Sequence, residues 1–245
     1  MKKFFILFTL LISTAASAFN ENHNSDELIG HVYDVKTNTL IYKETHNYLL
    51  VDGGKVMHSL FTSPSGETIA KREIEYENDK LVSYRLVQDS IEYEESIKVG
   101  NKNIQLEKRN QKQVSQKKIK TLNEIIIDAG FSDYIVNNWG ALIEGATLKF
   151  DFASVSQMNK IRLQVKGADI DKTSAKEYLT DDEIVMFKMT IANPVLKMFI
   201  KPIEVGYYKE SRQLAYYKGI SNIKNSNGKQ YSLVRIEYPQ KNKIL

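Results

Sequence analysis

Four histidines are the first place to look for chemistry in this chain, and all fall early: His23, His31, His46 and His58. His46 and His58 flank Asp52-Gly53-Gly54, each about six residues from the centre of that turn. A hairpin there could set the two imidazoles opposite one another, where they could share a metal ion. Zinc needs three or four ligands and no third is fixed by spacing, so ordinary strand histidines are expected, and no metal or cofactor is assigned. Asp89, Glu92, Glu94 and Glu95 make a local acidic cluster. Paired carboxylates perform glycosidic acid–base chemistry only at a set separation inside a cleft. A strand through this segment sends Glu92 and Glu94 to one solvated face, opposite Tyr93. A calcium loop would need oxygen ligands wrapped around a glycine, which the segment lacks.

Nucleophile signatures are absent: there is no Gly-x-Ser-x-Gly elbow, no Ser-x-x-Lys with its supporting motifs and no phosphate-binding glycine loop. The chain has no cysteine, which excludes thiol catalysis, disulfides, zinc–thiolate sites and iron–sulfur clusters. A Ser–His–Asp triad built from distant residues stays open, because triads are geometric rather than sequential. The chain is nevertheless read as a non-enzyme. A hydrolase with a scattered triad is the remote rival, testable with panels of ester and glycoside substrates.

Lys108-Arg109, Lys112, Lys117-Lys118 and Lys120 place six positive charges in thirteen residues with no acid among them. Such a run suits an anionic partner, but a lysine-guarded edge strand or exposed hairpin is the preferred reading.

The elements that must position these residues follow a period of two. Ala70, Arg72, Ile74 and Tyr76 alternate with Lys71, Glu73, Glu75 and Glu77, and Val82, Tyr84 and Leu86 share a face. This is the pattern of antiparallel strands with one buried and one wet face. Turns at Asp52-Gly53-Gly54, Pro64-Ser65-Gly66, Gly100-Asn101 and Asn227-Gly228 punctuate it. A meander of hairpins is expected from Leu28 to about Ile119, and roughly a dozen strands in all. Ile184 to Ile191 is almost continuously apolar, as in a strand covered on both faces. Phe131, Tyr134, Ile135, Trp139, Leu142 and Ile143 recur at helical spacing, predicting one helix between Gly130 and Gly145. Asn193-Pro194 reads as the start of a second, short helix that ends before Pro202.

At 245 residues, 42% hydrophobic and 26% charged, the chain can bury a core without staples. Met1 to Ala18 reads as a secretory signal peptide: Lys2-Lys3, a nine-residue run from Phe4 to Ile12 that is apolar but for Thr9, then Ala16-Ser17-Ala18, with cleavage after Ala18. The expected organisation is leader 1–18, flexible segment 19–27, one β-rich domain over 28–240 and a polar tail 241–245. Loss of Lys2 and Lys3 lowers the formal charge from +4 to +2. That balance gives no electrostatic case for nucleic acid. No later stretch is long and apolar enough to span a membrane as a helix, so a periplasmic, non-membrane-spanning protein is expected.

Aromatic and methionine residues concentrate in the second half. A curved sheet carrying them on its concave face, with a helix laid across it, forms an apolar pocket. The candidate ligand-binding residues are Tyr134, Trp139, Phe150, Phe152, Met186, Phe199, Tyr208 and Tyr217. The segment Trp139-Gly140-Ala141-Leu142 and the run from Leu214 to Ile223 resemble uncharacterised exported bacterial β-rich proteins. The organisation is similar to the lipoprotein-carrier (LolA-like) half-barrels, and the resemblance implies binding of acyl chains or another apolar ligand. The fold expected is all-β and mainly antiparallel: a curved sheet or half-barrel with one or two short helices on its concave face. The function expected is a periplasmic binding or carrier protein for a lipid-like ligand. The alternative is an envelope scaffold that holds a protein partner through its sheet edges.

Overall fold

The computed structural model describes residues 27–121, 125–179, 183–193, 201–231 and 233–239. The expected leader, the polar tail, Phe199 and the helix expected from Asn193-Pro194 onward lie outside the described residues.

The period-two segments become strands, and the buried parity is the one the alternation marks. From Thr68 to Glu77, Ala70, Ile74 and Tyr76 are buried while Lys71, Glu75 and Glu77 are exposed. The chain runs β1 (Leu28–Asp34), β2 (Leu40–Val51), β3 (Gly54–Thr62), β4 (Thr68–Glu77), β5 (Lys80–Gln88), β6 (Tyr93–Gly100), β7 (Asn103–Asn110), β8 (Gln113–Lys120) and β9 (Ile125–Ile127). Helices α1 (Gly130–Asn137) and α2 (Trp139–Ile143) follow. The remaining strands are β10 (Thr147–Ser154), β11 (Asn159–Ala168), β12 (Ile184–Ile191), β13 (Ile203–Tyr208), β14 (Leu214–Gly219) and β15 (Val234–Glu237).

Among the described residues all fifteen strands join one open, curved sheet in the order β8-β7-β6-β5-β4-β3-β2-β1-β15-β14-β13-β12-β11-β10-β9. Every neighbouring pair is antiparallel except β9–β10. Strand β9 is three residues long, too short to show a period, and only its tertiary pairing makes it a strand. Curvature brings the ends of the sheet towards each other: Cα atoms of β8 and β11 approach within 8 Å. Ile104, Leu106 and Ile119 from one end share a core with Ile127, Ala153 and Val155 from the other.

A second core lies under the helices, where Ile135, Trp139 and Leu142 meet Phe150, Leu163, Phe187, Val205 and Tyr207. A third, smaller cluster joins Met186 and Tyr216 to Ala175 of the 3-10 turn Ser174–Glu177. Because Met186 and Phe187 point to opposite faces, β12 is covered on both, as its apolar run predicts. The single helix expected between Gly130 and Gly145 is instead two, broken at Asn138 (φ −109°, ψ 19°). The Asn138 side-chain amide donates to the Tyr134 carbonyl (2.8 Å), a local bond that competes with continuation of the helix.

Register decides the histidine pair. His46 faces Ser59 across β2–β3, and His58 faces Asn47. The offset of one residue sends His46 inward and leaves His58 outside, where its Nδ1 lies 3.8 Å from Glu73. The two imidazoles therefore do not meet. Strand β8 is an edge strand, exposed everywhere but Ile119, and it carries Lys117, Lys118 and Lys120.

Candidate functional site

Adjacent strands place polar side chains at inward positions that the alternation reserves for apolar ones: Glu44 and His46 on β2, Ser59 on β3, and Arg72 on β4. Glu44, His46 and Ser59 are buried, and the Arg72 side chain is 11% exposed. Charges so buried must be paired and hydrogen-bonded, and here they are. Arg72 Nη1 donates to Asp128 Oδ2 at 2.7 Å, and its Nη2 and Nε donate to Ser59 Oγ at 3.1 and 3.3 Å. His46 Nε2 lies 3.1 Å from Glu44 Oε1, an acceptor when ionised, which puts the ring proton on Nε2. Nδ1 then accepts from Ser59 Oγ at 2.8 Å and from Arg72 Nη2 at 3.3 Å.

The far side of the sheet closes this network. Tyr238 donates to Glu44 and Asn222 donates to Asp128. Asp128 occupies a left-handed turn (φ 43°) between β9 and α1, a conformation that Asp tolerates better than most residues. Gly30 sits opposite Glu44 on β1, and a Cβ there would lie 2.6 Å from the Tyr238 ring and 2.9 Å from Glu44 Cγ. The glycine thus leaves room for the Tyr238–Glu44 contact. Burial works to raise the Glu44 carboxyl, but His46, Arg72 and Tyr238 outweigh it and hold it below the ordinary range. Burial lowers Arg72, yet Asp128 and Glu44 more than compensate and push it up.

Above the network lies a cavity of about 620 Å³. Glu44, His46, Arg72 and Asp128 form one polar part of its wall. The rest is largely apolar: Leu28, Met57, Phe61 and Leu86 from β1–β5, Phe131 and Val136 from α1, and Leu163, Met189 and Ile236 from the other side of the sheet. At one end it reaches Lys55 and Asp79, whose side chains pair at 3.5 Å, the latter 91% exposed. The volume is that of a small-molecule site: an apolar body with a few convergent polar groups.

The residues expected from sequence to touch a ligand divide. Phe152 and Tyr217 line the cavity. Tyr134 packs on Phe150, with ring centroids 4.8 Å apart, and neither is among the lining residues. Trp139 is buried edge-on to Phe187 at 5.2 Å, in the core under the helices. Met186 belongs to the cluster on the opposite face of the sheet, and Tyr208 donates to the Tyr238 carbonyl at 3.1 Å. Phe199 lies outside the described residues. The polar wall carries residues that the aromatic count passed over. Their signal was parity: Arg72 shares the alternating face of Ala70, Ile74 and Tyr76, where a charge is unexpected.

Fold and site together define a β-rich, barrel-like protein whose curved sheet and first helix enclose a cavity with a charged wall. Among solved structures, the chain is similar to the crystal structure of a β-barrel-like protein of domain of unknown function DUF1849 from Brucella abortus. That similarity has 6% identity, covers 88% of this chain and 96% of the other, and has a TM-score of 0.43. No family model and no curated protein matches the chain.

Proposed function

We propose that the protein is a periplasmic, non-enzymatic binding or carrier protein for an apolar, lipid-like ligand, exported by a signal peptide cleaved after Ala18. The observation that carries this reading is the cavity of about 620 Å³, whose wall is more apolar than polar and carries the Glu44–His46–Arg72–Asp128 cluster. Glu44, His46 and Ser59 have the connectivity of a carboxylate–imidazole–hydroxyl relay. A binding role is preferred because Ser59 is not among the residues lining the cavity, and its oxygen already takes two donors from Arg72. A nucleophile would need that oxygen free and facing substrate.

Native mass spectrometry of mature protein purified from its own periplasm, followed by organic extraction, tests the proposal. An adduct that extracts as a lipid is the expected result. An apo mass, with no uptake of a fluorescent fatty acid by the refolded protein, would overturn it.

A further inference from the structure

A second cavity, about 310 Å³, adjoins the first: Asp128, Phe152 and Asn222 line both. Its chemistry differs. Lys108 and Lys224 line it together with the buried carboxyl of Glu95. Lys108 lies directly across the β6–β7 ladder from Glu95, continuing the inward row of Ile104 and Leu106. Lys224 is held by its backbone. The buried Gln88 side chain accepts from the Lys224 N–H at 2.9 Å and donates to its carbonyl at 3.0 Å. This places the ammonium 3.5 Å from the Tyr93 ring centroid.

Glu95 is occupied elsewhere. Tyr84 and Tyr93 donate their hydroxyls to its two oxygens at 2.6 and 2.7 Å. Among the described residues neither lysine has a carboxylate oxygen within 4.0 Å. Asp128, which also lines this cavity, is paired with Arg72 at 2.7 Å. Two ammonium groups and one carboxyl leave the balance positive; burial raises Glu95, and burial and Lys108 lower Lys224 while Glu95 supports its charge. The Ser154 and Ser156 hydroxyls line the same space and bond to each other at 3.0 Å, which leaves one hydroxyl proton to donate. A cationic pocket with a hydroxyl donor suits an oxyanion.

We propose that this second cavity binds the anionic headgroup, phosphate or carboxylate, of an amphiphile whose apolar body fills the larger one. The inference rests on the carrier reading and adds the chemical class of its ligand. Lys108 and Lys224 are the residues that select for charge.

The test compares dodecyl phosphate, 1-dodecanol and inorganic phosphate as displacers of the neutral probe N-phenyl-1-naphthylamine, with calorimetry for inorganic phosphate. Wild-type protein should bind dodecyl phosphate at least tenfold more tightly than dodecanol. That ratio should fall to near one in Lys108→Gln/Lys224→Gln and return in Lys108→Arg/Lys224→Arg. Because the ratio is taken within one sample, it is independent of the fraction folded. Equal binding of the two chains by wild type, or an unchanged ratio in the Gln double variant, overturns the headgroup site and leaves the carrier reading standing. Failure of both chains to bind overturns the carrier reading, and the headgroup assignment falls with it. Inorganic phosphate binding as tightly as dodecyl phosphate would make this a free-anion site and overturn the amphiphile.

Discussion

Under α1 and α2 the concave face is filled. Trp139 stands edge-on to Phe187 and Tyr207, with centroids 5.2 and 5.9 Å apart, and Ile135 and Leu142 are fully buried. Across β1–β4 the same face bounds a cavity and carries Glu44, His46 and Arg72. Helix α1 is the wall between the two regions: Ile135 enters the packed core while Phe131 and Val136 face the empty space. The contrast has a physical cause. Large rigid rings pack out volume and accept an apolar helix on top of them. An apolar helix laid over Glu44 and Arg72 would bury charge against groups that cannot answer it. Inward charge on β2 and β4 thus marks the hollow region.

Removing the charge that organises the hollow region should have the greatest consequence. Arg72→Met leaves Asp128 buried without its cation and should cost about 3–5 kcal/mol in urea denaturation. Arg72→Met/Asp128→Asn should recover much of that loss, because Asp128 then carries no charge without its cation. A loss near zero in the single variant would mean that the network does not support the fold.

A second pair of variants sets one region against the other. Trp139→Ala should cost about 3 kcal/mol, the penalty of emptying a packed aromatic site, with ligand uptake per folded molecule unchanged. Val136→Trp, on the cavity side of α1, should abolish uptake of a fluorescent fatty acid at a smaller cost in stability. The reverse pattern would move the ligand into the aromatic core.

The smallest effects are in pH dependence, and the two buried glutamates have opposite signs. Glu44 is held below the ordinary carboxyl range in the folded protein. Its stabilisation is therefore present above that range and lost as pH falls through the lowered folded value. Burial raises Glu95 despite the two tyrosine hydroxyls that oppose it. It costs nothing at pH below the ordinary range and becomes destabilising as pH rises through the raised folded value. Measured against pH, the stability deficit of Glu44→Gln should shrink towards acid. For Glu95→Gln, stability relative to wild type should improve as pH rises. Parallel curves would show that neither carboxyl shifts on folding.

Local alternation along the chain was enough to reveal the strands, the all-β class, the meander of the first eight strands and the lysine-guarded edge at β8. A period of two is a local property, and a buried face must obey it. The helical stripe from Phe131 was equally visible, but its break at Asn138 depended on one side-chain bond that spacing does not encode.

The site was less legible. Phe152 and Tyr217, chosen by residue type, do line the cavity. Met186 could not be assigned correctly to a face of the sheet, because a continuously apolar strand conceals which side is which. Arg72 and Glu95 were visible as charges of inward parity, but their roles were not. Asp128 lies 56 residues from Arg72, and Tyr238 lies 194 residues from Glu44. Sequence settled most of the strands, the buried face of those that alternate, and the lack of thiol chemistry. The ion pairs that fill the polar wall and the hollow beside them came from the tertiary structure alone. Each of these depends on which distant segments the curved sheet brings within a few ångströms, and pairing and packing at that range have no local period to announce them.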